Sequence, residues 1–157
     1  MHPMKHRQDA VATPGEAGRA GPIGPAPFAL EVTVSFASIR IITEDVDRLA
    51  AFYERVTGRS AERPAPVFAQ FSGPGATLAI AAPATVAMLG DALAPAANRS
   101  VVVEFEVADV DAEFARLEST LKDVVLRPTT MPWGNRSALF RDPDGNLVNL
   151  FSRPSAG

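Results

Sequence analysis

The chain has 157 residues, enough for one domain or for two fused small modules, with 46% hydrophobic and 21% charged residues. Its formal net charge of −3 and its isoelectric point near 5.4 argue against nucleic acid or an anionic membrane as the main partner. The chain has no cysteine, which excludes disulfides, zinc–thiolate sites, iron–sulfur clusters and cysteine nucleophiles. No apolar run approaches the roughly 20 residues that span a bilayer.

Residues 1–30 differ in composition from the rest of the chain. Proline and glycine recur there, and large apolar residues are scarce before Phe28. Such a segment buries too little surface to offset the entropy of ordering, so the sequence predicts a disordered tail. The tail lacks the apolar core of a secretory signal, which favours a cytoplasmic protein. Both histidines, His2 and His6, lie in this tail.

The first half of the remaining chain predicts a β-α-β-β order. A β-rich run over residues 32–42 predicts a strand. Asp45 is placed to cap a helix that ends at Gly58. Its apolar positions recur at helical spacing, so they predict a core face: Val46, Leu49, Phe52, Tyr53 and Val56. Residues 67–71 and 77–81 predict two strands joined by a glycine-rich turn.

The second half repeats this pattern after an alanine-rich linker over residues 83–99. A strand over residues 101–107 precedes a helix that begins at Asp109. Phe105 is expected to be buried between the sheet and this second helix. A strand over residues 124–126 and a loop over residues 128–133 follow.

A β-hairpin closes the chain. The run Asp142-Pro143-Asp144-Gly145-Asn146 predicts a tight turn, because Pro143 fixes φ near −65° and Gly145 can take a positive φ. The arms on either side, residues 136–140 and 147–151, tolerate two-residue alternation. Asp142 and Asp144 are interpreted as turn formers.

The two halves are internal repeats, since Asp109-Val110-Asp111 repeats Asp45-Val46-Asp47 at a spacing of 64 residues. A single fold with a pseudo-twofold axis follows more naturally than two independent domains. Each half has one helix to cover a sheet, so the other face of the sheet must be buried or left as a groove.

These motifs in this order resemble the vicinal oxygen chelate superfamily, which includes glyoxalase I, the bleomycin-resistance proteins and the extradiol dioxygenases. The resemblance covers residues 31–153 and leaves residues 154–157 as a C-terminal tail. It implies an α+β fold in which two tandem β-α-β-β-β modules form a half-open barrel with a central cavity. It also implies a homodimer and a small organic molecule as ligand.

The superfamily usually holds a divalent metal with four inward-facing side chains. Carried onto this sequence, these positions are Ser38, Ile80, Val102 and Asn149. Two of them lack a donor atom and two are neutral oxygen donors, whereas a stable site needs three or four N, O⁻ or S⁻ ligands. The sequence therefore predicts no metal and no other cofactor. An oxygen-only site from Glu104, Glu106 and water remains an alternative.

Seven residues are the candidates for ligand binding: Ser38, Arg40, Glu104, Glu106, Trp133, Arg136 and Asn149. Strand alternation places Arg40 on the same face as Ser38, and both glutamates on the face of Val102. Their structural alternatives are an ion pair or solvated charges. Trp133 is either a stacking wall or a lid that packs on the hairpin. Arg136 either binds a ligand carboxylate or pairs with Asp142.

The predicted function is metal-independent binding of a partly apolar organic molecule. The alternative is an enzyme of the lyase, isomerase or dioxygenase type that uses an oxygen-only metal site or a glutamate as acid or base. A third possibility is a structural or regulatory module with a vestigial groove. A Ser–His–Asp set is excluded outside the tail, because no histidine exists there.

Overall fold

The structure of the protein is a computed structural model that describes residues 35–155. The tail predicted over residues 1–30 lies outside the described residues. Along the chain the elements are β1 (Ser38–Ile42), α1 (Val46–Thr57), β2 (Glu62–Ala65), β3 (Phe68–Ser72), β4 (Thr77–Ala81), β5 (Val102–Glu106), α2 (Val110–Leu117), β6 (Val124–Thr130), β7 (Arg136–Arg141) and β8 (Leu147–Ser152). A connector of 3-10 helix, Pro83–Ala92, joins β4 to the second half. No helix within residues 35–155 is long and apolar enough to cross a membrane.

The strands form two sheets of the same topology. The first sheet has the order β1-β4-β3-β2 and the second has the order β5-β8-β7-β6. In each sheet the first and last strands of the module are parallel, and the remaining neighbours are antiparallel. Each module is therefore β-α-β-β-β, and the predicted α+β fold of two tandem modules is confirmed. The two open sheets are consistent with the half-open arrangement.

Both helices begin at the predicted aspartates. The Asp45 carboxylate accepts a hydrogen bond from the backbone N–H of Arg48 at 2.9 Å. The Asp109 carboxylate accepts one from the backbone N–H of Ala112 at 3.0 Å. Each bond satisfies one of the amides that a helix leaves unpaired at its start.

Helix α1 contributes to the core of both modules. The ring of Phe52 lies 6.1 Å from that of Phe140 in the second sheet, with an edge-on geometry. Tyr53 is fully buried and lies near Phe71 of the first sheet as well as Phe105 of the second. The core positions predicted on α1 are confirmed, and this helix joins the modules into one hydrophobic core.

Two strands differ from the sequence prediction. The sequence analysis of the first half had no strand at Glu62–Ala65, where Pro64 and a register shift interrupt regular pairing. The strand β6 continues to Thr130, through a segment that was predicted as a loop from Pro128. It lies at the edge of its sheet and carries register shifts, and proline is tolerated at such a position because no ladder bond needs its missing N–H.

Phe105 packs against a different helix from the one predicted. Phe105 is half-buried rather than buried, and its ring lies 6.1 Å from that of Tyr53 on the first helix. The second helix packs instead against Ala138, through Val110 and Phe114. The prediction that Phe105 lies on the core-facing side of β5 is correct, but two-residue alternation alone does not determine which helix packs on that side.

Candidate ligand-binding face

Each sheet has one face on the shared core and one face turned away from it, called here the open face. On the open face of the second sheet, Glu104 of β5 and Asn149 of β8 are directly paired neighbours. The Nδ2 of Asn149 donates a hydrogen bond to Oε2 of Glu104 at 2.8 Å. Register and alternation place five residues around this pair on the same face, of which Glu106 is charged and four are apolar: Val102, Leu139, Leu147 and Phe151.

This pair is rich in acceptors. The Oδ1 of Asn149 is buried and has no donor within the described residues. The Glu104 carboxylate is exposed, and only one of its two oxygens is bound by Asn149. An ionised carboxylate accepts and cannot donate, so the pair suits a group that supplies N–H or O–H.

Glu106 and Ser38 lie at the ends of the open faces. The Glu106 carboxylate is 3.0 Å from Nε of Arg153, and both side chains are more than half exposed. Ser38 is exposed on β1 beside Thr77 of β4. An exposed ion pair contributes little to stability, so Glu106 keeps the freedom to exchange Arg153 for another cation.

Arg40 and Glu104 do not form the ion pair that their equivalent positions in the repeat suggested. The guanidinium of Arg40 lies 5.8 Å from the centroid of the Phe68 ring, in cation–π geometry. Arg40 is paired with Ala79, and Phe68 is paired with Ala81. These two small residues of β4 leave room for the Arg40 side chain to cross the sheet and reach the Phe68 ring. Arg40 on the first sheet therefore contacts Phe68, and Glu104 on the second sheet contacts Asn149.

Trp133 lies in the turn between β6 and β7, which is closed by a bond of 2.9 Å from the N–H of Gly134 to the carbonyl of Met131. The side chain is 67% exposed. It does not pack as a buried lid on the hairpin, and its ring is available to a planar group.

Arg136 lies on the face opposite to Glu104 and Asn149. It alternates with Ala138 and Phe140, which are core residues. Its guanidinium forms a bidentate pair with Asp111 in the first turn of α2, at 2.8 and 2.7 Å. The carboxylate partner expected from the sequence, Asp142, is thus replaced by Asp111. The hydrogen bond from Arg136 holds the pKa of the Asp111 carboxyl below its usual range.

The closing turn holds a buried carboxylate, that of Asp142. One oxygen accepts from Tyr53 Oη at 2.8 Å and from Asn146 Nδ2 at 2.8 Å. The other accepts from the backbone N–H groups of Asp144 and Asn146, both at 2.9 Å. Burial, and then the adjacent Asp142 charge, raise the pKa of Tyr53 far above its usual range. The turn-forming role of Asp142 is confirmed, and the same group ties the second module to α1.

The residues present do not fit the metal centre of the resembled superfamily. The assignment of Ile80 to a metal-facing position is wrong by one residue, because Ile80 pairs with Ile41 and lies fully buried in the core. The open-face positions of β4 are Thr77 and Ala79, which add at most a hydroxyl. Within residues 35–155, no group of three His, Cys, Asp or Glu side chains is placed to hold a metal ion. In the described part of the chain, Glu104 is the one carboxylate that hydrogen-bonds to Asn149.

A cleft of about 420 Å³ lies beside the strand β5. Glu104 and Glu106 border it, together with residues that the sequence analysis did not select, notably Phe36, Thr57 and Arg59. The Nη1 of Arg59 donates to the carbonyl of Ser72 at 2.9 Å. Arg59 follows the helix terminator Gly58, and that position is the only sequence signal that could have marked it.

The model of the Glyoxalase/Bleomycin resistance protein/Dioxygenase superfamily matches residues 35–150. A glyoxalase/bleomycin resistance protein/dioxygenase from Nocardioides is 26% identical with a TM-score of 0.62, over 80% of this chain and 89% of that one. A glyoxalase-related enzyme from Fulvimarina pelagi is 18% identical with a TM-score of 0.66, over 76% of this chain and 88% of that one. TioX from Micromonospora sp. ML1 is 24% identical with a TM-score of 0.56, over 76% and 99%. The last two show the fold alone, and no curated protein matches the sequence. Two tandem β-α-β-β-β modules and the family match together show that the chain belongs to the glyoxalase/bleomycin resistance protein/dioxygenase superfamily.

Proposed function

We propose that this protein binds a partly apolar organic molecule without a metal, on the open face of the second sheet. The observation that carries the proposal is the Glu104–Asn149 pair, which presents an exposed carboxylate among mostly apolar residues of the same face. Small-molecule sites are built in this way, with a mostly apolar wall and a few polar groups that fix orientation.

The ligand that suits this face carries an amine, amide or hydroxyl donor beside an apolar or aromatic body. Glu104 accepts from the donor, and the apolar neighbours Val102 and Phe151 contact the apolar body. The exposed ring of Trp133, in the turn between β6 and β7, offers a flat surface to a ligand that extends that far. The donor set around Asn149 is chemically poor for a transition metal, because a neutral amide and one carboxylate fall short of the three or four ligands that such an ion needs.

A homodimer is the second part of the proposal. Large apolar side chains are exposed on this chain, among them Phe36 at 67%, Val102 at 41% and Trp133 at 67%. A second copy that covers an open face would remove such groups from water and enclose the ligand, with the same patch used on both subunits. Light scattering after size exclusion is expected to give twice the monomer mass.

The test is a thermal unfolding screen with bleomycin and a panel of aromatic amines, each measured with and without a chelator. We expect at least one compound to raise the melting temperature, and the rise to be the same in the presence of EDTA. The variant Glu104→Gln should bind that compound about tenfold more weakly, the size expected for a lost hydrogen bond to a charged group. Glu44→Gln makes the same charge change at an exposed position outside the open face and serves as the control.

The alternative enzyme is distinguished in the same experiment. If Mn²⁺ or Zn²⁺ is required for binding, or produces turnover of a bound compound, the metal-independent assignment is wrong. If no compound binds, or if both glutamine variants weaken binding equally, the Glu104–Asn149 pair is not the recognition site.

A further inference from the structure

A second cleft, of about 390 Å³, lies between α1 and the closing hairpin. None of the residues that line it belongs to the Glu104–Asn149 site. Four cationic side chains line it: Arg48, Arg55, Lys122 and Arg141. We infer that this cleft binds a small phosphate monoester, with the phosphate held by the cations and the organic part resting against Pro143.

Three separate segments bring the cations together. Arg48 and Arg55 are seven residues apart on α1, which places them on the same face of the helix with Phe52 between them. Lys122 precedes β6, and Arg141 ends β7 just before the turn. Convergence from three directions suits a tetrahedral group with several oxygens better than it suits a planar one.

The charges in this cleft do not cancel. Arg48 is paired with Asp144 at 3.0 Å, and Arg141 lies 3.6 Å from Asp123. Within residues 35–155, Arg55 and Lys122 have no carboxylate within ion-pairing distance. Two uncompensated cations therefore face one cleft in a chain whose net charge is −3.

Two carboxylates, those of Asp142 and Asp123, also line this cleft and reduce its attraction for an anion. Both oxygens of Asp142 are occupied by four donors, from Tyr53, Asn146 and two backbone amides. These hydrogen bonds engage the lone pairs of both oxygens with donors of the protein. Asp123 is 61% exposed, so water screens its charge.

The choice of a phosphate monoester follows from charge and size. Such a group carries close to two negative charges at neutral pH on three oxygens, and Arg55 and Lys122, which form no ion pair within the described residues, are available to bind them. Guanidinium groups bind phosphate oxygens in pairs, and an ammonium adds a point charge. The volume exceeds that of an inorganic phosphate, and the exposed ring of Pro143 leaves an apolar surface for a small organic body.

The experiment uses phenyl phosphate as the probe, titrated by calorimetry against the full chain at constant ionic strength. We expect saturable binding that succinate and inorganic sulfate do not reproduce. The double variant Arg55→Gln, Lys122→Gln should weaken binding at least tenfold, because two charge-assisted contacts are lost. The control Arg127→Gln, Arg153→Gln makes the same charge change at two exposed ion pairs outside the cleft, and it should stay within twofold of the parent.

Three results would overturn the inference: no binding of phenyl phosphate, equal binding of succinate or sulfate, or equal losses in both double variants. If the Arg55 variant does not fold, Lys122→Gln alone replaces it, since this residue is exposed; it should weaken binding about threefold or more. The outcome is independent of the Glu104 site, because Glu104→Gln is expected to leave phenyl phosphate binding unchanged.

Discussion

The single tyrosine of the chain offers a direct measurement of the bond between the two modules. Tyr53 is fully buried, and its hydroxyl donates to the ionised Asp142 at 2.8 Å. Tyr53→Phe keeps the ring and removes this donor, so it should destabilise the protein by about 1.5–3 kcal/mol, the range for a hydrogen bond to a charged group. Urea unfolding at neutral pH measures the change. Thr129→Val also deletes a hydroxyl, but at an exposed position, and should cost less than about 0.5 kcal/mol.

The pH dependence of stability has a definite sign. Burial raises the pKa of Tyr53 in the folded state above the ordinary value of 10.0, so the stability that this shift contributes is complete below pH 10 and is lost as the pH rises. Above that value the unfolded chain releases the phenolic proton and the folded chain keeps it, which lowers stability by about 1.4 kcal/mol per pH unit. Tyr53→Phe should remove this slope. A phenolate absorbance that appears near pH 10 while the protein is still folded would refute the reasoning.

Three further predictions test the packing. Gly134→Ala places a Cβ 2.9 Å from Cγ of Pro154 at a φ of +98°, whereas the Cβ of Gly145→Ala meets nothing within 4 Å at a φ of +86°. Gly145→Ala should lower the free energy of unfolding by about 1–2 kcal/mol through backbone strain, and Gly134→Ala should lower it further. Adding Pro154→Gly should remove the difference between the two in melting experiments. Phe52→Ala should cost about 3–5 kcal/mol and Phe105→Ala roughly half of that, because Phe105 is only half-buried; equal costs in urea unfolding would contradict the observed packing. Arg136→Gln should raise the pKa of Asp111 toward 3.8, measured by carboxyl NMR titration, and an unchanged value would show that the pair does not form in solution.

The correctly predicted parts of the fold depend mostly on interactions between residues that are close in sequence. Asp45 and Asp109 each cap a helix through a bond to an amide three residues later, which the sequence spacing alone indicates. The closing turn likewise depends on nearby residues, since Asp142 binds the amides of Asp144 and Asn146. Features of this kind are predictable because the interacting groups are neighbours in the chain.

The errors concern partners that are distant in sequence. Arg136 was assigned a carboxylate six residues away, whereas the structure pairs it with Asp111 on α2. Ile80 was placed on the open face, but the register with Ile41 turns it into the core. A shift of one residue reverses the face of a strand, and the sequence of a short apolar strand such as β4 does not fix that register. The face of Glu104 is predicted correctly because charged and apolar residues alternate clearly along β5, whereas the position of Asn149 came from the family resemblance.

The connector Pro83–Ala92 links the two modules covalently but is not part of the core that holds them together. It contributes no buried residue, while the cohesion of the two halves passes through α1, from Phe52 to Phe140 and from Tyr53 to Asp142. The protein therefore resembles an obligate heterodimer whose subunits happen to be tethered. The tether mainly sets the effective concentration of one half around the other. Two fragments that are divided within this connector should reassociate into the native fold, and either fragment alone should stay unfolded, because each would expose its part of the shared core to water.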